Sequence, residues 1–89
     1  MRQKGDFAKI NGKYWEILDI VEEVQHLENS IDMYWRIEKI AWENNEFLLR
    51  LCYYKIEGAR EKFSDRPPAI DPKILEVLLS KARAKKFIN

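Results

Sequence analysis

From Lys13 to Glu28 the apolar side chains fall at Tyr14, Ile17, Leu18, Val21, Val24 and Leu27. That spacing of threes and fours lines one side of an α-helix. Glu16, Asp19, Glu22 and Glu23 lie beside or opposite the stripe, so the pattern predicts an acidic amphipathic helix over residues 13–28. A second helix is predicted over residues 71–87. Asp71 offers an N-cap carboxylate, Pro72 occupies the first helical position, where its missing N–H costs nothing, and Ile74, Leu75, Leu78, Leu79 and Ala82 form the stripe to be buried. Residues 1–12 are polar and contain the turn signal Asn11-Gly12, which predicts a loose or short extended N-terminal arm.

Between these helices, Met33 to Trp42 and Phe47 to Ile56 are dense in aromatic and aliphatic residues and are joined by Glu43-Asn44-Asn45-Glu46. With Asn44-Asn45 as a two-residue turn, residues 33–56 form a hairpin. Met33, Trp35, Ile37 and Ala41 would then share a core face with Leu48, Cys52, Tyr54 and Ile56, with Lys39 and Arg50 as exceptions. A helical reading through Tyr34, Ile37, Ala41, Leu48, Leu51 and Cys52 is the alternative. Residues 57–70 read as a turn at Glu57-Gly58, a short third strand near Arg60–Ser64 and a stiff lead-in at Arg66-Pro67-Pro68. The expected fold is a small α+β single domain over 1–89, in the order α-β-β-β-α, with an all-α helical bundle as alternative.

Composition supports a packed domain. Apolar residues make up 46% of the chain and three Trp, four Tyr and four Phe supply large rings for a core. A single Cys, Cys52, excludes an internal disulfide and suggests a reducing, cytoplasmic compartment. No apolar run approaches the roughly 20 residues of a membrane span, so no membrane partner is expected. The abundance of Glu and Lys leans towards a thermophilic source.

Charge changes the picture more. The net charge of +1 hides a partition: Glu16, Asp19, Glu22, Glu23, Glu28 and Asp32 occupy residues 14–35 with no Lys or Arg, and Lys81, Arg83, Lys85 and Lys86 follow Glu76 with no acidic side chain. Either the two segments meet, within one molecule or between two, or one of them meets an outside partner.

Candidate chemistry is sparse. Glycines are few and unclustered, there is no Thr, and the single His lies far in sequence from Ser64, Ser80 and Cys52, so neither a phosphate-cradling loop nor a nucleophile–base set is visible. Glu23 and His26 have the Glu-x-x-His spacing by which one helix offers two ligands to a carboxylate-bridged di-metal centre, a weak metal alternative on the predicted helix. Val21-Glu22-Glu23-Val24 resembles the opening of the first acidic helix of MazG-type nucleotide pyrophosphohydrolases. That resemblance implies Mg²⁺ held by paired acids on neighbouring helices. Here the second acid of the first set is replaced at Gln25 or His26, and the only later Glu-x-x-Glu spacing, Glu43 to Glu46, sits in a turn.

Paired rings at Tyr14-Trp15, Tyr34-Trp35 and Tyr53-Tyr54 place aromatic groups on both sides of their elements, and Trp15, Trp35, Trp42, Tyr53 and Tyr54 are the candidate interface residues. These features predict a non-catalytic interaction module with no cofactor, a homo-oligomer or a subunit of a larger assembly. A nucleic-acid-binding accessory protein using Arg60, Lys62, Arg66, Lys81, Arg83, Lys85 and Lys86 is the alternative, and a metal-dependent enzyme on the acidic helix is the third reading.

Overall fold

The computed structural model describes residues 1–66 and 69–89. Among them the chain forms strands β1 (Phe7–Ile10), β2 (Lys13–His26), β3 (Ile31–Ala41), β4 (Phe47–Glu57) and β5 (Arg60–Ser64), then one helix, α1 (Pro72–Ala84). The strands pair antiparallel in chain order β1-β2-β3-β4-β5, and the sheet curls into a half-barrel. The order is therefore neither α-β-β-β-α nor an all-α bundle. Pro67 and Pro68 of the expected lead-in lie outside the described residues.

The main correction falls on residues 13–28, which form a strand instead of an acidic helix. Apolar residues need not alternate along β2, because both of its faces are covered. Val21 packs under α1, while Ile17 is buried on the opposite face beneath the N-terminal segment. A bulge at Leu18 shifts the register between Ile17 and Asp19, which imposes an apparent helical spacing on a strand. The β-branched Ile17, Ile20, Val21 and Val24 suit that strand better than a helix.

β3 and β4 pair as an antiparallel hairpin, but not through a two-residue turn. Ala41 pairs with Phe47, and residues 42–46 form a loop in which Trp42 N–H donates to Glu46 carbonyl at 2.9 Å. Asn44 and Asn45 both take left-handed φ values, 58° and 62°. The pairing consequently slips by one residue from the expected one. Trp35 faces Tyr53 and Ile37 faces Leu51, whereas Cys52 and Tyr54 join Arg36 and Tyr34 on the other face. One residue of slip exchanges every β4 side chain between faces. The same loop occurs between β2 and β3: Leu27 N–H donates to Ile31 carbonyl at 2.8 Å, and Asn29 and Ser30 have φ of 60° and 59°. Asn11-Gly12 closes the β1–β2 hairpin with φ of 50° and 79°, the doubly left-handed geometry that Asn-Gly favours.

α1 packs on β2 and β3. Its N-terminus is built as the Asp-Pro pair predicts, with the Asp71 carboxylate accepting from Lys73 N–H at 2.8 Å. Asp71→Ala should lower unfolding free energy by about 0.5–2 kcal/mol, read by urea denaturation at constant m-value; an unchanged midpoint would refute the cap. The other end is a Schellman turn. Lys86, with φ of 60°, donates to Arg83 carbonyl at 2.9 Å, and Phe87 N–H reaches Ala82 carbonyl at 2.8 Å. This turn folds Phe87 back into a core with Val21, Trp35, Ile37, Leu78 and Ala82.

Candidate functional site

The face of the sheet away from α1 carries an unusual interior. Glu22, Arg36 and Cys52 stand in one cross-strand row, and Ile20, Glu38 and Arg50 in the next. Alternation along strands would place such charges in water, but the N-terminal segment crosses this face. The Gly5 N–H donates to Ile17 carbonyl and the Ile17 N–H to Asp6 carbonyl, each at 2.8 Å, and the Arg2 N–H and Nε donate to the Tyr54 hydroxyl at 3.2 and 3.1 Å. The expected loose arm is thus fastened at both ends. Ala8, Ile17, Ile40, Cys52 and Tyr54 are buried here, and so are Arg36, Glu38 and Arg50.

Arg36 is held through Nε and Nη1. Its Nε donates to Glu22 at 2.8 Å and its Nη1 to Arg2 carbonyl at 2.6 Å, with Glu38 at 3.5 Å and the Tyr54 ring 5.0 Å from its guanidinium carbon. Glu38, with no exposed surface, stands between Arg36 and Arg50, whose Nε lies 3.5 Å from its other oxygen. Arg2 and Arg50 also lie over one ring, Phe63, at 4.4 and 4.6 Å. Beside Arg2, a shallow depression of about 420 Å³ is bordered by Asp6, Tyr54, Glu61 and Phe63. Burial, followed by the neighbouring Glu38 charge, pushes the Cys52 thiol up to about 12, so it stays protonated and is a poor nucleophile at neutral pH.

The acidic and basic segments meet within the molecule. Lys81 reaches Glu23 at 3.1 Å and Glu22 carbonyl at 2.7 Å, and Lys85 reaches Asp19 at 3.0 Å. Burial pushes the Asp19 carboxyl up, but hydrogen bonds from Lys85 and the Ile20 N–H outweigh it and hold the group below its ordinary value. Its stabilising contribution is present above the unfolded carboxyl value of about 3.9 and is lost as pH falls through the lower folded one.

The candidate interface residues separate. Trp35 and Tyr54 are buried on opposite faces, Tyr53 packs half-buried against Trp35 with ring centroids 5.1 Å apart, and Trp15 and Trp42 stack half-buried at 4.3 Å. Of the basic residues, Lys81 and Lys85 are held by acids, Arg83 and Lys86 are exposed on or just after α1, Arg60 and Lys62 lie on β5, and Arg66 follows it. Glu23 and His26 project to opposite faces of β2. Glu23 pairs with Lys81, and the exposed His26 with Asp32 at 2.6 Å. The helical premise of the Glu-x-x-His site and of the pyrophosphohydrolase resemblance therefore fails, and among the described residues no three His, Cys, Asp or Glu side chains converge to hold a metal.

Sequence reasoning did not single out Arg36, Glu38 or Phe63, and it assigned Arg50 only as an exception. In the sequence, Arg36 and Glu38 alternate with Trp35 and Ile37, the pattern of a strand with one face in water, so nothing local marks their burial. The feature most open to another molecule lies on β4. β5 pairs only with Tyr53–Glu57, so no strand among the described residues covers the outer edge of residues 47–52. Phe47, Leu48 and Leu49 are exposed there by 40, 43 and 37%. No helix among the described residues is long and apolar enough to cross a membrane. No protein-family model, curated protein or solved structure matches this chain.

Proposed function

We propose that the protein is a non-catalytic interaction module that associates with a second copy of itself through the open edge of β4. The observation that carries this reading is the run Phe47-Leu48-Leu49, exposed on the stretch of β4 that no described strand covers. Unpaired edges are templates for another strand, and folded proteins usually blunt them with charge or Pro. Residues 47–52 contain neither, apart from Arg50, whose side chain is turned into the protein. Antiparallel pairing of this edge with its two-fold mate is self-complementary and closes at the dimer. A reducing intracellular compartment, read from the single buried Cys52, belongs to the same proposal. Phosphate binding by the basic residues has less support, since Lys81 and Lys85 already satisfy acids of β2.

Sedimentation equilibrium tests the proposal. The parent chain should form a reversible dimer, and Leu48→Lys combined with Leu49→Glu should be monomeric with an unchanged circular dichroism spectrum. A parent that stays monomeric at about 1 mM, where a contact of only about 4 kcal/mol would already populate the dimer, refutes it. So does a double variant that dimerises as the parent does.

A further inference from the structure

Arg50 differs from the other charged residues of its face in one respect. Its side chain is only 8% exposed, yet Nε, Nη1 and Nη2 have no hydrogen-bond partner among the described residues. The neighbouring Glu38 oxygen, at 3.5 Å, lies within ion-pair range but outside hydrogen-bond geometry, and that oxygen also lacks a donor. Arg36, one cross-strand row away and still more deeply buried, has hydrogen bonds to Glu22 and to Arg2 carbonyl. A guanidinium cannot shed its proton, so Arg50 cannot escape burial by becoming neutral. Buried donors without acceptors are rare in folded proteins and carry a desolvation cost, which is larger for a charged group.

The other cations near this face have acids or acceptors beside them: Arg36 has Glu22 and Glu38, the Met1 amine has Glu61, and Arg2 lies beside Asp6 and the Tyr54 hydroxyl. Arg50 has only the distant Glu38 oxygen, and an anion would supply both the acceptors and the charge that its guanidinium lacks. β5 ends at Ser64 opposite Tyr53, so no described strand lies beside the Arg50 stretch of β4. Leu48, on the same face, is exposed beside it. We propose that Arg50, seated over the Phe63 ring, is the anchor of a binding site for a small oxyanion of the carboxylate or phosphate class, taken in the fork of its guanidinium. The Arg50 side chain faces the interior, while the uncovered stretch of β4 beside it is the one proposed above as the dimer contact.

Thermal melts of the full chain with inorganic phosphate, acetate or chloride at matched ionic strength test the proposal. Phosphate or acetate at about ten times its Kd should raise Tm by about 5 °C or more, with chloride inert, and Arg50→Met should abolish the response. A response to phosphate alone assigns the site to phosphoryl groups, and a response to acetate assigns it to carboxylates. A parent that responds to neither beyond chloride overturns the proposal, as does an Arg50→Met variant that keeps the full response. Should Arg50→Met fail to fold, the Nε–Hε resonance of Arg50 in the ¹⁵N-labelled parent decides. A saturable shift with phosphate or acetate supports the site, and a resonance that neither moves overturns it.

Discussion

Glu38→Ala should destabilise the protein by about 3–5 kcal/mol, the usual cost of removing one partner from a buried ionic group. Glu38 is completely enclosed and stands between Arg36 and Arg50, with nitrogens of both at 3.5 Å. Its loss would leave Arg50 without any counter-charge and reduce Arg36 to Glu22 alone. Against a typical total of about 5–15 kcal/mol, the variant would be marginal at room temperature. Glu38→Gln preserves volume and removes only the charge, so the two variants separate packing from electrostatics. The measurement is urea unfolding with m-values compared. A loss below about 1 kcal/mol in Glu38→Ala would mean that water or an anion supports the guanidiniums in its place.

Leu78→Ala should cost about 2–5 kcal/mol through a cavity between α1 and the sheet. Leu78 has no exposed surface and lies at the centre of the cluster with Val21, Trp35, Ile37, Ala82 and Phe87. For a domain of this size that loss lowers Tm by about 10 °C or more. Because α1, with Phe87 and Ile88 after it, covers Trp35 and Ile37, near-ultraviolet circular dichroism should report looser aromatic packing while the far-ultraviolet strand signal persists. A variant that melts within about 2 °C of the parent would remove Leu78 from the core described above.

What could be read in advance was local, and what could not was the pairing of distant parts. Asp71-Pro72 and Asn11-Gly12 specify their backbone geometry within a few residues, and both form as expected. The strand at Arg60–Ser64 likewise follows from its turn at Gly58. β2 was illegible because the two-residue period that marks a strand survives only when one face meets water. Here both faces are covered and the bulge at Leu18 breaks the remaining alternation. A clue lay in the loops: Leu27-Glu28-Asn29-Ser30 and Trp42-Glu43-Asn44-Asn45 are alike, and they adopt the same turn. Reading the second as a two-residue turn moved β4 by one position. That slip placed Cys52 and Tyr54 on one face with Trp35 and Ile37, when they belong with the buried charges. The Arg36–Glu38–Arg50 cluster depends on that register and on the crossing of the N-terminal segment, neither of which any short window of sequence contains.

Because each strand pairs with the one before it, the chain can assemble its sheet hairpin by hairpin, closing only short loops at each step. The helix joins differently. Lys81 and Lys85 meet Glu23 and Asp19 across 58 and 66 residues of chain, so α1 docks onto a surface that earlier segments have already built. During synthesis, the face bearing Val21, Trp35, Ile37 and Tyr53 stands uncovered until the helix that follows it in the chain emerges. In that interval the nascent sheet offers two sticky regions, this uncovered face and the β4 edge. The docking of α1 removes the larger of the two, which makes the arrival of the helix the step that commits the chain to one folded form and away from aggregation.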